Sequence, residues 1–326
     1  MPVRIATFNL ESLGDSREPT VALGRRLDRL RTHLLRLDAD VLCLQEVNAR
    51  KAPRRHRVLA ALDRLLDGTP YAGCARVEMT RMDTGAPADR HNLVIVSRLP
   101  IAESRQIWND IVPPLSYRPV TGADDATPII NRFDRPFLYA ALSLSDGRRL
   151  HIVNVHLRAP IAAPIAGQKQ SALVWRSVGA WAEGFFLAAL RRSAQALEVR
   201  LFVERLFDQE PDALIAVCGD FNADAPEVPV RLIQAPVEDT GNPALAGREL
   251  CAIERRIPDQ QRYSVLHAGA HKMLDHILVS KALMGALCGA QVDNQGLADE
   301  VFDAAPQRSI SESFHAAVAA DFALTR

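Results

Sequence analysis

A chain of 326 residues can build one large domain or two ordinary ones, and it is long enough to bury a sizeable core. Its 48% hydrophobic and 24% charged residues are the balance of a soluble globular protein. Lys+Arg and Asp+Glu stand at 39 each, which excludes a global basic field for bulk nucleic-acid binding.

Arg4 to Phe8 predicts a short strand ending at Asn9 and, two positions on, Glu11. Leu23, Leu27, Leu30, Leu34 and Leu37 recur at steps of three and four, so a helix follows. Arg25, Arg26, Arg29 and Arg36 are expected on its solvated face. Val41 to Leu44 reads as a second buried strand, with Glu46 at its carboxyl end. Residues 50–57 hold five Lys/Arg and read as a basic surface loop, with phosphate contact as the alternative. Asn92 to Ser97 is a third strand. Residues 108–136 carry five prolines with Gly122, Asp124 and Asp125, and read as a long surface loop.

Phe137 to Leu144 and Leu150 to Val155 predict a hairpin about Asp146-Gly147. Its second strand delivers Asn154 and His156 to one face and His151 to the other. Gln168 to Phe207 is helical in pattern, and Gly179 and Gly184 suggest two helices. Trp175, Trp181, Phe185 and Phe186 are expected to pack in the core, with a lid or partner surface as the alternative. Leu214 to Cys218 is a five-residue apolar run, a strand buried on both faces; Gly219 ends it. Extended backbone would then aim Asp220 and Asn222 to one side. Met273 to Ser280 starts a further strand in which His276 should face away from Asp275. The last strand, Ala316 to Leu324, follows His315. Strands alternating with helices, without linker or repeat, point to one α/β unit over residues 1–326.

Five cysteines at 43, 74, 218, 251 and 288 form no Cys-x-x-Cys pair, so a reducing, cytoplasmic setting is expected. The N-terminus reaches Asn9 and Glu11 without a secretory hydrophobic region, and no apolar run of about 18 residues suggests membrane insertion.

Polar residues of one chemical type close several strands: Asn9, Glu46, His156, Asp220, Asn222, Asp275 and His315. Ligand sites of α/β sheets gather at strand ends. Hard carboxylate and carboxamide oxygens suit Mg²⁺ or Mn²⁺ bound together with substrate phosphate.

Ala-Thr-Phe-Asn9, Leu-Gln-Glu46, Val-Asn-Val-His156-Leu, Gly-Asp-Phe-Asn222, Leu-Asp-His276 and Ser-Phe-His315 form an ordered set. As a set it resembles the endonuclease/exonuclease/phosphatase superfamily of metal-dependent phosphoesterases, over nearly the whole chain. The resemblance implies a four-layer α/β sandwich, two mixed sheets face to face with helices outside, and one site at an edge. It implies Glu46 as the main Mg²⁺ ligand with Asn9 beside it, and Asp220 as the group that orients or deprotonates water. Asn222 and His156 would donate to phosphoryl oxygens, and His315, oriented by Asp275, would hold the phosphate or shuttle a proton. Arg158, Asn92 and Glu11 are further candidates for substrate contact. His276 is expected to be structural. Phe314 stands where the family commonly has aspartate, which puts a second metal in question. The expected reaction is Mg²⁺-dependent hydrolysis of a phosphodiester in a nucleic acid, lipid head group or small molecule. The alternatives are a phosphomonoesterase and a weakened member used as a binding module.

Overall fold

The computed structural model describes residues 2–51, 57–122, 127–303 and 312–324. Twelve strands form two six-stranded sheets. The first sheet uses β1 (Val3–Leu13), β2 (Val41–Val47), β3 (Ala75–Glu78) and β4 (Asn92–Ser97). The second uses β5 (Ile101–Ile107), β6 (Phe137–Ser143), β7 (Arg149–His156), β8 (Leu214–Asp220), β9 (Leu250–Ala252) and β10 (Asp275–Ser280). β11 (Leu287–Val292) and β12 (Val318–Phe322) return to the first sheet, giving the orders β11-β12-β1-β2-β4-β3 and β9-β10-β8-β7-β6-β5. Each sheet is mixed in the same way: one parallel pair at its centre, β1 with β2 and β7 with β8, and antiparallel neighbours outside.

The period-two alternation of side chains decides the layers. Ile5, Cys43 and Ile95 of the first sheet meet Ala140, Ile152, Ala216 and Ile277 of the second in an apolar layer between the sheets. The alternate residues of the first sheet, Phe8, Leu42, Leu44 and Val96, pack under α1 (Thr20–Leu37) and α2 (Ala60–Leu66). Those of the second, Val153, Val155, Ile215 and Val217, pack under α3 (Val178–Gln209). Full burial of one such aliphatic side chain stabilises by about 1.5–3 kcal/mol. The result is the four-layer sandwich expected from the sequence. Among the described residues, no helix is long and apolar enough to cross a membrane.

Several expectations are corrected. Arg26 is buried on α1, donating to the carbonyls of Leu10, Glu11 and Glu312, and so ties the helix to the end of β1 rather than facing solvent. The 108–136 segment contains a two-stranded ribbon, Leu115–Tyr117 with Ile129–Asn131. Asp124, Asp125 and residues 52–56 of the basic stretch lie outside the described residues. β5 had no signal, because an edge strand half exposed to water keeps Glu103, Ser104 and Arg105.

The 168–207 region holds one helix, not two, and it starts only at Val178; residues 168–177 are turns with an isolated Lys169–Trp175 bridge. Gly184 does not break α3 but lets Ala163 approach: a Cβ there would sit 2.4 Å from the Ala163 carbonyl oxygen. Nor do the aromatic rings all enter the core. Trp181, Phe185 and Phe186 are 45%, 39% and 48% exposed, and Trp181 stacks on Phe185 at the surface.

Candidate active site

Strand pairing brings the polar strand ends together. In β1 and β2, Asn9 lies opposite Gln45, so Asn9 and Glu46 emerge side by side. In the second sheet, His156 lies opposite Asp220, and Asp220 opposite Asp275. Gly219 makes the close approach possible: at φ 146° a Cβ would fall 2.0 Å from the Val155 carbonyl oxygen. Phe221, wholly buried, locks the same turn into the core and packs edge-on against His276.

The two sheets are then joined across their shared edge. Asn9 Nδ2 donates to Asp220 Oδ2 at 3.0 Å and lies 3.4 Å from Glu46 Oε1. His156 Nε2 lies 3.4 Å from Asp220 Oδ2 and 3.7 Å from Glu46 Oε1. Beneath them Gln45 Nε2 donates to Asn154 Oδ1 at 2.7 Å, a second bridge between the sheets. The far end of the chain closes the cluster: Ser313 Oγ donates to the Asn9 carbonyl, and His315 pairs with Asp275 at 2.7 Å through Nδ1.

Asn222 departs from the expected extended geometry. The strand stops at Asp220, and Asn222 turns into the left-handed region at φ 49°. It still serves Asp220, through a backbone N–H to Oδ1 at 2.8 Å and through its amide to Oδ2 at 3.3 Å. The same amide donates to the Leu157 carbonyl, so in this arrangement it holds the carboxylate rather than reaching outward. Glu11, Ser12, Glu46 and His91 are also left-handed, at φ 44°, 52°, 59° and 56°. Strain of about 1–3 kcal/mol at each such residue concentrates around functional sites.

The electrostatics separate the groups into roles. Burial, reinforced by Asp275, pushes the Asp220 carboxyl up to about 7. Burial works against ionisation of Glu46 too, but His91 and His156 beside it hold that carboxyl well below the usual range. Burial lowers the His156 imidazole, and Arg135 lowers it further. A guanidinium N–H of Arg135 points at His156 Nδ1, so the neutral ring carries its proton on Nε2, toward Asp220 and Glu46. Burial opposes protonation of His315, yet Asp275 raises its imidazole well above the usual histidine value.

The remaining candidates separate. Glu11 sits at the cluster, its backbone N–H donating to Asn9 Oδ1, and burial raises its carboxyl. Arg158 lines a neighbouring cavity and pairs with Asp134 at 3.3 Å. Asn92 is fully buried, and its amide is engaged by the Ala88 N–H and the Val47 and Ala88 carbonyls. His276 faces away from Asp275's partner, as expected, held by Glu254 and the Ala223 carbonyl. His151, bonded to Tyr139, is remote from His156. Phe314 is a buried apolar side chain. Sequence reasoning missed Ser12, whose N–H and hydroxyl both donate to Glu46 Oε2, and also His91 and Arg135. The last two lie beside loops whose course no local pattern fixes.

The donor set fits a hard divalent cation. Asp275 Oδ1 is buried without a hydrogen-bond partner, next to the Asp220 carboxyl that it destabilises. Asp220 and Asp275 offer carboxylate oxygens in a cluster with His315 whose atoms lie within 4.8 Å of one another, and Glu46 adds a further carboxylate across Asn9.

Beside this cluster opens a cavity of about 690 Å³ that His91 and Arg135 share with it. Trp108, Met79 and Met82 form an apolar wall, and Arg81, Arg90, Arg132 and Arg158 contribute guanidinium groups.

A sheet sandwich with acidic, amide and imidazole groups gathered at one edge defines a phosphoester-hydrolase type of α/β protein. Residues 6–297 match the model of the Endonuclease/Exonuclease/phosphatase family, and the chain belongs to that family, whose members are hydrolases acting on phosphate esters. Among solved structures, it resembles an endonuclease/exonuclease/phosphatase from Bacteroides vulgatus at 16% identity, with 99% of each chain covered and a TM-score of 0.57. The mannosyl-6-phosphatase of Bacteroides thetaiotaomicron is 16% identical, with 98% of each chain covered and a TM-score of 0.55. Truncated Caenorhabditis elegans TDP2 is also 16% identical, covering 99% of this chain and 97% of that one, with a TM-score of 0.56. At these identities the likeness is one of fold. No curated protein matches in sequence.

Proposed function

We propose that this chain, as a single domain, hydrolyses phosphate esters by in-line attack of water, with phosphodiesters as the first substrate class. The observation that carries the reading is the meeting of Glu46, Asp220 and His315, drawn from both ends of the chain, around Asn9 and His156. Mg²⁺ or Mn²⁺ would be held by Glu46 with Asn9, and the free Asp275 oxygen offers a further ligand. When bound, the cation neutralises charge on the phosphoryl oxygens.

The chain's own groups supply the rest. Asp220, buried between Asn9 and His156, is placed to orient the attacking water and accept its proton; its rise to about 7 belongs to the site without the cation, which would lower it. His156, neutral with its proton on Nε2, donates to a phosphoryl oxygen. His315, charged through Asp275, is the complementary acid for the leaving oxygen. Asn222 keeps Asp220 oriented.

A phosphomonoester of a small molecule is the second reading: the open cavity beside the cluster offers room for its body, and the solved mannosyl-6-phosphatase of this fold is in keeping with it. A binding module finds support in Phe314 alone. Turnover of a generic phosphodiester and a generic phosphomonoester with Mg²⁺ and then with chelator tests the proposal. The expected result is metal-dependent turnover that Asp220→Ala reduces by on the order of 10³ or more. No turnover of either, nor of DNA or RNA, would favour the binding module.

A further inference from the structure

The cavity beside the cluster carries more positive charge than its own carboxylates balance. It presents Arg81, Arg90, Arg132, Arg135 and Arg158, against Asp83 and Asp134. Both carboxylates are already engaged. Asp83 is gripped by Arg81 at 2.9 and 2.5 Å. Asp134 is shared by Arg158 at 3.3 Å and Arg191 at 2.5 Å. Among the described residues, no carboxylate lies within ion-pair distance of Arg90, Arg132 or Arg135. Arg135 is partly buried, and its side chain meets the neutral imidazole of His156. Asp134, Glu46 and Asp220 act on Arg135 from beyond ion-pair distance, whereas Arg90 and Arg132 stand at the exposed rim with their donor forks free for a ligand anion. The chain as a whole is neutral, so this concentration of charge is local to the mouth of the site.

We propose that this cavity is a second anion site, in which Arg90 and Arg132 receive a non-reacting phosphate of the substrate while its scissile phosphate lies at the catalytic cluster. The substrate class is a compact phosphate ester bearing a second phosphate. Arginine's fork of donors suits phosphate, and Trp108, Met79 and Met82 supply an apolar wall for the body between the two charges. The inference rests on the hydrolase reading for the position of the scissile group, but its charge argument stands on the cavity itself.

Calorimetry with methylphosphonate and 1,4-butylenebisphosphonate, whose chain separates its two phosphonates, in metal-free buffer tests it on the wild type and on the doubly substituted Arg90→Gln, Arg132→Gln protein. Both residues are exposed, so the fold should tolerate the change. Wild type is expected to bind the bisphosphonate at least tenfold more tightly than the phosphonate, since a charge-assisted pair contributes roughly that factor or more. The double variant should lose the difference, while its affinity for methylphosphonate and its turnover of a singly phosphorylated ester change less than about threefold. A contrast that persists in the double variant, or is absent from wild type, overturns the proposal. So does a thymidine oligonucleotide that binds more tightly than the bisphosphonate through the same two arginines. Turnover without the contrast keeps the hydrolase and removes the anion site. A contrast without any metal-dependent turnover keeps the anion site and removes the hydrolase.

Discussion

His276 and His315 each face a buried carboxylate, and their difference lies in what their second nitrogen meets. His276 has Glu254 at 2.5 Å on Nδ1 and the Ala223 carbonyl at 2.9 Å on Nε2, so both nitrogens are consumed inside the fold. His315 spends Nδ1 on Asp275 and keeps Nε2 for the cluster. His276→Ala should therefore leave Glu254 buried and uncompensated, lowering stability by about 3–5 kcal/mol while kcat of the folded protein changes little. His315→Ala should lower kcat by on the order of 10²–10³ and, by stripping the buried Asp275 of its partner, should lower the melting temperature as well, so kcat is what distinguishes the two. Thermal unfolding and kcat are measured side by side; equal kcat losses would show that the facing of the two rings has been misassigned. The opposed facing of Asp275 and His276 was legible from strand period alone. The Glu254 partner was not, because it arrives from a separate short helical turn with no spacing to announce it.

At the scale of elements, α3 does more than cover a sheet. Glu198 is fully buried and accepts from the backbone N–H groups of Asn109, Ile111 and Val112. Glu183 does the same for Val120 and Thr121 and also takes the Tyr117 hydroxyl. Arg191 holds Asn131, Gln195 holds the Arg158 N–H, and Arg192 holds the Asn222 carbonyl. The helix thus shapes the 108–136 segment, including the Trp108–Asn109 wall of the cavity, from charged residues that a sequence reading assigns to water. That is why the segment read as a free loop and the exposed Trp181–Phe185 pair as core: the helix reverses the usual placement of charge and ring. Glu198→Ala strips an acceptor from three N–H groups, each costing about 1–3 kcal/mol when left unpaired. A loss of at least 3 kcal/mol in denaturant unfolding is expected, together with a raised KM as the cavity wall slackens. A variant with wild-type stability and KM would show that water replaces the carboxylate without cost.

The whole molecule places a destabilising group where its two halves meet. The strand ends and their order were legible because each motif sits on a strong apolar run. Their convergence in space came through the family resemblance and not from any local pattern, since only the pairing of sheets puts Asn9 against Asp220. That meeting point leaves Asp220 raised to about 7 by burial and by Asp275, against about 3.9 in an unfolded chain. Below about pH 4 both states hold the proton and the group has no effect on folding. Between these values the unfolded chain releases its proton first, so rising pH draws the equilibrium toward unfolding, and above about 7 the cost is complete. An asparagine at this position cannot ionise and escapes that dependence. The stability of Asp220→Asn relative to wild type should therefore improve steadily from pH 4 to pH 8 in the presence of chelator, whatever its absolute value. Excess Mg²⁺ should shrink the improvement at pH 8, because a bound cation replaces the proton that Asp220 otherwise needs. Melting temperatures across that range, with chelator and with Mg²⁺, decide the matter: a difference independent of pH would mean that Asp220 ionises freely in the folded protein, and with it would go the proton-accepting role assigned to that carboxylate.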